Sequence, residues 1–210
     1  VISVFDDDYP QMLKEIYAPP ICLYIKGNLQ LLKMQNISLI GCRKCSQYGK
    51  KTAYYFSYNL SKAGFNIVSG LARGIDSYSH IGCLAAKGKT IAVMGSGLDN
   101  IYPKENEQLV NEIIKQNGAI ITQYPLGTKP EKNNFPARNR IISGLSKAVL
   151  VIEARAKSGT LITVDFALEQ GKDVFAVPGN INSANSVGTN ELIKQGAIPV
   201  CNYKDILDNI

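Results

Sequence analysis

Residues 129–140, with the sequence KPEKNNFPARNR, concentrate positive charge around a single aromatic side chain. The cations are Lys129, Lys132, Arg138 and Arg140, and the aromatic residue between them is Phe135. Lysine and arginine hold the phosphates of a nucleic acid, and an exposed aromatic ring stacks on an unpaired base. The pattern therefore predicts a site for a single strand. The alternative is that Phe135 is a core residue that anchors this segment under a sheet.

The rest of the chain, which must position this segment, alternates short apolar runs with stretches of helical periodicity. The runs start 24 to 29 residues apart, which leaves room for one helix and two loops between successive strands. The predicted strands are 37–41, 65–69, 90–94, 119–123, 148–153, 173–177 and 197–201. Because these runs are apolar along their whole length, they fit strands buried on both faces. We predict an α/β fold, an extended Rossmann-like, doubly wound and mostly parallel sheet with helices on both faces.

Residues 1–30 differ from this alternation. DDDYPQMLKEI predicts a short helix, and ICLYIKG predicts an added edge strand of the sheet. No repeat or linker divides the remainder, so residues 1–210 are predicted to form one domain. No apolar run is long enough to span a membrane, and the five cysteines lack disulfide-like spacing. We therefore expect a protein of the reducing cytoplasm.

Positive charge also follows the other predicted strands, at the sheet edge where ligands of open α/β folds bind. We call the segments that follow the carboxyl ends of the strands the rim. Its cations are Arg43, Lys44, Arg73, Lys129, Lys132, Arg138, Arg140, Arg155 and Lys157. Rim glycines allow backbone N–H groups to approach an anion, and the net charge of +6 favours a polyanionic partner. These features predict a phosphate-binding rim; the alternative is that the glycines only form tight turns.

Several motifs of other chemistries are incomplete. GKT at 88–90 lacks the first glycine of a P-loop and precedes a strand instead of following one. GSG at 95–97 is not a full dinucleotide-binding fingerprint. Cys42 and Cys45 form a single CxxC, which is weak support for a redox pair. Two cysteines also provide too few ligands for a zinc site. The sequence predicts no catalytic residue, no metal site and no cofactor, and hence a protein that is not an enzyme.

Five stretches resemble the DprA (Smf) family of bacterial DNA-processing proteins. They are SGLARGID (69–76), TIAVMGSGLDNIYPKEN (90–106), FPARNRIISGLS (135–146), VIEARAKSGTLITVDFALEQGKDVFAVPGN (151–180) and GTNELIKQGA (188–197). The resemblance implies an extended Rossmann fold that binds single-stranded DNA, forms a homodimer and loads RecA recombinase during natural transformation, without an established catalytic activity. It also implies accessory domains before and after this fold, which we expect to be absent from residues 1–210.

The resemblance further implies which rim residues contact DNA. They are Arg43, Arg73, Lys132, Phe135, Arg138, Asn139, Arg140, Ser158 and Gly159, with Ser158 and Gly159 acting through their backbone. Arg73 could instead be structural, and one arginine of RNR could instead pair with Glu153 or Asp76. The helix containing Leu192 and Ile193 is implied as the surface for the dimer and for RecA.

Two other functions remain open on the sequence. The first is a small-nucleotide-binding or nucleotide-cleaving Rossmann protein. Such an enzyme needs a carboxylate at the sugar, for which the rim offers Asp76, Asp99 and Glu153. The second is a purely structural interaction domain, which leaves the nine rim cations without a role.

Overall fold

The computed structural model describes residues 1–210, which form one nine-stranded sheet and eight α-helices. The strands are β1 (Ile2–Ser3), β2 (Cys22–Gly27), β3 (Asn36–Ile40), β4 (Asn66–Ser69), β5 (Thr90–Val93), β6 (Ala119–Thr122), β7 (Ala148–Val151), β8 (Asp173–Ala176) and β9 (Ile198–Pro199). The helices are α1 (Gln11–Lys14), α2 (Gln47–Lys62), α3 (Ile75–Ala85), α4 (Glu107–Lys115), α5 (Asn134–Gly144), α6 (Gly159–Glu169), α7 (Val187–Lys194) and α8 (Lys204–Leu207). Two 3-10 helices span Leu29–Lys33 and Lys104–Asn106.

The strand order is β1-β2-β6-β5-β4-β3-β7-β8-β9. The seven strands from β3 to β9 run parallel, whereas β1 and β2 pair antiparallel. The predicted α/β, mostly parallel sheet is therefore confirmed, and each of the seven predicted strands is present. The predicted edge strand ICLYIKG forms β2, but it is not the outermost strand, because the two residues of β1 pair along its free side.

The parallel strands are buried on both faces, as their apolar runs require. In β7, Val149 and Val151 pack in the layer that contains α5 and α6. Ala148 and Leu150 point the other way, into the layer that contains α2 and α3. Burying one such valine or leucine side chain contributes about 1.5–3 kcal/mol, so the two layers fix the strand register.

The two helix layers diverge between β3 and β7, which lie side by side with Ser38 opposite Val149 and Ile40 opposite Val151. After β3 the chain passes through α2 to β4, and after β7 it passes through α6 to β8. Because α2 and α6 cover opposite faces, the loops leaving β3 and β7 separate. Ligands of open α/β sheets bind in the crevice at such a point.

One surface departs from what the sequence suggested, namely the apolar side of α7. Leu192 of α7 is 9% exposed and packs in the main core, and the partly buried Ile193 packs against that core. These two side chains therefore do not form the exposed apolar surface that the resemblance implied for α7. No helix is both long and apolar enough to cross a membrane.

Candidate nucleic-acid interface

A cavity of about 700 Å³ opens where β3 and β7 end. We call it the rim cavity. The predicted site residues that line it are Arg43, Lys132, Phe135, Arg138, Asn139, Ser158 and Gly159. The cations Lys44, Arg155 and Lys157 also line it. The lining thus combines six cations with a single carboxylate, that of Asp76. Such an excess of positive charge in a concave, partly desolvated site attracts a polyanion.

A helix that the sequence interpretation missed carries the central aromatic residue. Residues 134–144 form α5, so Phe135 stands in its first turn. Pro136 follows it without disrupting the helix, because the first turn of a helix needs no backbone donor. One edge of the Phe135 ring lies against Gly95, where an added β-carbon would be 3.0 Å from Cδ1. The partly exposed ring lines the cavity and belongs to none of the hydrophobic clusters, so it is not a core anchor.

Phe135 has two neighbours that shape its environment. The Cζ atom of Arg43 lies 5.4 Å from the centroid of the ring, within the range of a cation–π contact. The ring of Tyr102 lies 5.6 Å away, tilted by 48°. Tyr102 is 41% exposed and also lines the cavity. The sequence interpretation did not identify Tyr102 as a site residue, although its position in the loop after β5 was a signal that it lies at the rim.

The loop that carries Arg43 is fixed by backbone contacts. The Cys42 N–H donates to the Glu153 carbonyl at 2.8 Å, and the Cys42 carbonyl accepts from Ile75 N–H at 3.2 Å. Gly74, with φ of 76°, packs so closely that a β-carbon there would overlap the carbonyl oxygens of Cys42 and Arg43. Since glycine alone adopts this φ without strain and leaves room for the loop, Gly74 helps to hold the exposed Arg43 side chain over Phe135.

Arg138 lies in the floor of the cavity and is almost fully buried. Its side chain is 3% exposed, and Nη1 donates to the carbonyl of Gly70 at 2.7 Å and to that of Val93. These bonds tie α5 to the ends of β4 and β5. Burial lowers the pKa of Arg138 to about 10, although the Asp76 carboxylate opposes this shift. Asp76 and Arg138 both flank Gly70, but neither Arg138 nor Arg140 forms the predicted ion pair with Asp76 or Glu153, because both arginines bond to backbone carbonyls.

Asp76 is held by backbone donors. Its Oδ2 accepts from Gly70 N–H at 3.1 Å and from Ala72 N–H at 3.3 Å. Burial raises the pKa of this carboxyl group, and the charge of Arg138 opposes the shift. The arrangement serves to close the loop between β4 and α3.

Two of the predicted site residues lie outside the rim cavity. Arg140 turns to the opposite side of α5, where Nε donates to the Ala18 carbonyl at 3.0 Å and Nη2 donates to Gln123 Oε1 at 2.6 Å. It thus fastens the N-terminal segment to the sheet. Arg73 is exposed and forms an ion pair with Glu105, with Nη2 2.7 Å from Oε2. This pairing fits the alternative prediction that Arg73 has a structural role.

The first turn of α6 forms another part of the cavity wall. Ser158 is the N-cap, and its Oγ accepts from Thr160 N–H at 3.0 Å. The lining backbone of Ser158 and Gly159 lies at the positive end of the helix dipole, next to the cationic side chains of Arg155 and Lys157. This wall is suited to a phosphate group.

A buried asparagine joins the loops that flank the cavity. Asn185 Oδ1 accepts from Arg155 Nε at 2.9 Å, and Nδ2 donates to the Lys44 carbonyl at 3.0 Å and to Glu153 Oε2 at 3.2 Å. Glu153 also accepts from Ser46, from the backbone N–H at 2.9 Å and from Oγ. Asn185, which the sequence interpretation missed, thus positions the cations of two loops.

None of the three rim carboxylates presents an unpaired side chain to the rim cavity, and Asp99, which is exposed, does not line it. Asp76 and Glu153 are buried and hydrogen-bonded as described above. Asp99 accepts from Gly127 N–H through both carboxylate oxygens, at 3.0 and 2.9 Å, and closes a turn. The geometry therefore gives no support to a nucleotide-cleaving enzyme.

Comparison with known proteins identifies the family of the chain. A model of the family described as DNA recombination-mediator protein A matches residues 1–210. DNA processing protein DprA of Streptococcus pneumoniae is 46% identical over 205 residues, covering 98% of this chain and 72% of that protein. The X-ray structure of DNA processing protein A from S. pneumoniae matches with a TM-score of 0.95 and 44% identity, over 100% of this chain and 73% of the other.

A second solved structure concerns DNA processing protein A from Helicobacter pylori and its unique single-stranded DNA binding mode. It matches with a TM-score of 0.87 and 33% identity, over 95% of this chain and 91% of the other. The family that the sequence motifs predicted is thus confirmed by a model spanning every residue and by relatives of clear identity: the chain is a member of the DNA recombination-mediator protein A family.

Proposed function

We propose that this chain binds single-stranded DNA in the rim cavity and acts as a recombination mediator. The observation that carries the proposal is the arrangement of Arg43, Lys132 and Phe135 in one cavity that holds six cations and one buried carboxylate. Cations alone would suit any polyanion. A partly exposed aromatic ring among them is suited to a strand whose bases are unpaired.

The proposed binding divides the strand between two kinds of contact. Lys132, Lys44, Arg155 and Lys157 hold consecutive phosphates, together with the backbone at the start of α6. A base stacks on Phe135, a contact worth about 1–3 kcal/mol. Because both contacts are independent of base identity, binding is sequence-tolerant. Duplex DNA offers no free base face except at its ends, so it binds less well.

Arg43 has a double role in this proposal. In the free protein its guanidinium lies over the ring of Phe135 and occupies a place where a base would stack. Binding of a base on this side moves Arg43 to a neighbouring phosphate, where a charge-assisted hydrogen bond replaces the cation–π contact. The same group thus covers the ring in the free state and holds the backbone in the bound state.

The mediator role is supported by the family to which the chain belongs and by the pairing of the buried carboxylates of Asp76 and Glu153. The protein protects incoming strands in the cytoplasm and loads RecA recombinase on them during natural transformation. It is not an enzyme. As a homodimer it presents two rim cavities, and a long strand that engages both gains affinity by multivalency.

The proposal is tested by fluorescence anisotropy with labelled oligo-dT at two salt concentrations, with unlabelled duplex of equal length as competitor. We expect binding that weakens with salt, by about 0.7 in log K per log unit of salt for each phosphate contacted, and weak competition by duplex. Equal competition by blunt duplex contradicts the proposal. Thermal stabilisation by a mononucleotide without oligonucleotide binding would instead support the small-nucleotide alternative.

A further inference from the structure

A second basic surface lies outside the rim cavity. Residues 16–98 contain one acidic residue, Asp76, which is buried and faces the rim. The ten cations of the same range are Lys26, Lys33, Arg43, Lys44, Lys50, Lys51, Lys62, Arg73, Lys87 and Lys89. All of α2 and α3 belong to this range, so neither helix carries an exposed carboxylate, and α2 carries Lys50, Lys51 and Lys62. The net charge of +6 is therefore unevenly distributed.

Tyrosines and lysines form an ordered row on α2. Lys50, Tyr54, Tyr58 and Lys62 recur at intervals of four residues, and hence lie along one side of α2. The rings of Tyr54 and Tyr58 are 6.1 Å apart with nearly parallel planes, and Lys62 Nζ lies 5.8 Å from the centroid of Tyr58. We call these four residues, with Tyr78 of α3, the lysine–tyrosine row. It is about 18 Å long at 1.5 Å per helical residue.

The row is held by a rigid support. Lys50 Nζ lies 5.4 Å from the ring centroid of Tyr78, which links α2 to α3. The two helices are in close contact, because a β-carbon at Gly82 of α3 would overlap Ser57 Oγ and contact the Tyr54 carbonyl. None of the lysines in the row forms an ion pair with a carboxylate. Their charges are therefore available to an external anion.

The row begins beside the rim cavity. Ser46 caps α2, and it follows directly on Arg43 and Lys44 of the cavity lining. A strand that leaves the cavity past Lys44 therefore meets the first turns of α2 and Lys50. The row is therefore adjacent to the cavity lining along the chain.

We propose that the lysine–tyrosine row is a second DNA-binding surface, which takes the strand as it leaves the rim cavity. The lysines contact phosphates, and the partly exposed tyrosines, of which Tyr54 is 40% exposed, offer ring surface to unpaired bases. An acidic protein segment would also meet the lysines. Single-stranded DNA is favoured because an acidic segment makes no use of aligned aromatic rings, whereas bases stack on them.

This inference rests on the proposed binding at the rim. Oligonucleotides of two lengths distinguish binding by the row from binding in the rim cavity. The test compares Lys50→Gln/Lys62→Gln with a control that removes two exposed lysines elsewhere, Lys14→Gln/Lys115→Gln. Both variants lose the same net charge. Affinity is measured with oligo-dT of about 6 and about 24 nucleotides, over a range of salt concentrations.

For Lys50→Gln/Lys62→Gln we expect unchanged affinity for the short strand and about tenfold weaker binding of the long one. The salt slope for the long strand should shrink by about 1.4, at about 0.7 for each lost phosphate contact. The control should differ little from the unmodified chain. If both variants bind the long strand alike, the inference is wrong while the rim site stands. If the unmodified chain binds neither strand, the proposed function itself fails.

A spectroscopic readout tests the tyrosines directly. The chain has no tryptophan, so Tyr54→Trp places a single reporter in the row. Long oligo-dT should quench its fluorescence by stacking, and the short strand should not. An unquenched signal at saturating long strand, or quenching by a poly-glutamate peptide only, would overturn the assignment to DNA in favour of an acidic protein partner.

Discussion

The two halves of residues 129–140 are used by the fold in opposite ways. The first half presents Lys132 and Phe135 to the rim cavity. The second half turns Arg138 into the cavity floor and Arg140 to the far side of α5, where both bond to backbone carbonyls. A guanidinium group is a fork of donors that carbonyl oxygens or phosphates can satisfy equally well. Equal charge in the sequence therefore does not mean equal availability to a ligand.

The half that contains Arg138 and Arg140 should matter for stability rather than for DNA binding. Arg138→Leu removes the compensation of the buried Asp76 and the link from α5 to β4 and β5. We expect a loss of about 3–5 kcal/mol in the free energy of unfolding, measured by urea denaturation. The matched control is the same replacement at the exposed Arg43, which should change stability by less than about 0.5 kcal/mol. Similar losses at both positions would remove the distinction between the two halves.

The single histidine tests the layer that contains α2 and α3 through pH. His80 is fully buried on α3 and bonds to Thr90 Oγ1 at 2.7 Å. Burial, and secondarily the charge of Arg138, lowers the pKa of His80 from 6.5 to about 3. The unfolded chain therefore binds a proton between pH 6.5 and 3 that the folded chain excludes. Stability is fully present above pH 6.5 and falls with decreasing pH, by up to about 1.4 kcal/mol per pH unit.

The measurement is a series of urea titrations between pH 7.5 and 5. His80→Gln should remove most of the slope, because it leaves no group in this layer with a pKa near 6.5 when unfolded. If the unmodified chain and the variant lose stability equally over this range, His80 is not the group responsible.

The cavity half should matter for binding rather than for stability. Phe135→Ala removes the proposed stacking surface, and we expect a loss of about 1–3 kcal/mol in the binding free energy of oligo-dT, similar for other base compositions. Phe135→Trp is the control, because it keeps an aromatic face and should retain binding. A large loss with oligo-dT but none with oligo-dA would mean that the ring reads base identity, against the proposed tolerance.

The sheet could be predicted from sequence because its strands are buried on both faces. Runs such as AVLV of β7 have no other stable placement, and their spacing determines the crossovers. The site was predicted less completely. Seven of the nine predicted residues line the rim cavity, whereas Arg73 and Arg140 do not. If α5 had been predicted, helical geometry would have placed Arg140 away from Phe135. A residue five positions later lies about 140° around the helix.

Other parts of the site depend on contacts between segments distant in the sequence. Asn185 joins the loops of Lys44 and Arg155, and no local pattern in NINSANS reveals this. The exposed tyrosine beside Phe135 was visible in the sequence as a residue after β5, yet only the fold brings the two rings to 5.6 Å. Side-chain direction in loops is decided by such packing, not by local propensity.

The smallest expected effect is that of Arg43→Ala, which separates the two proposed roles of this side chain. Arg43→Ala removes one phosphate contact, so the slope of log K against log salt for oligo-dT should shrink by about 0.7. The same change uncovers the ring of Phe135, which partly offsets the loss, so affinity at moderate salt should fall by less than about tenfold. Lys115→Ala is the control, because that exposed lysine lies beside Glu112 and does not line the cavity. An unchanged slope in Arg43→Ala would place the strand elsewhere on the rim and leave the cation–π contact as the only role of this side chain.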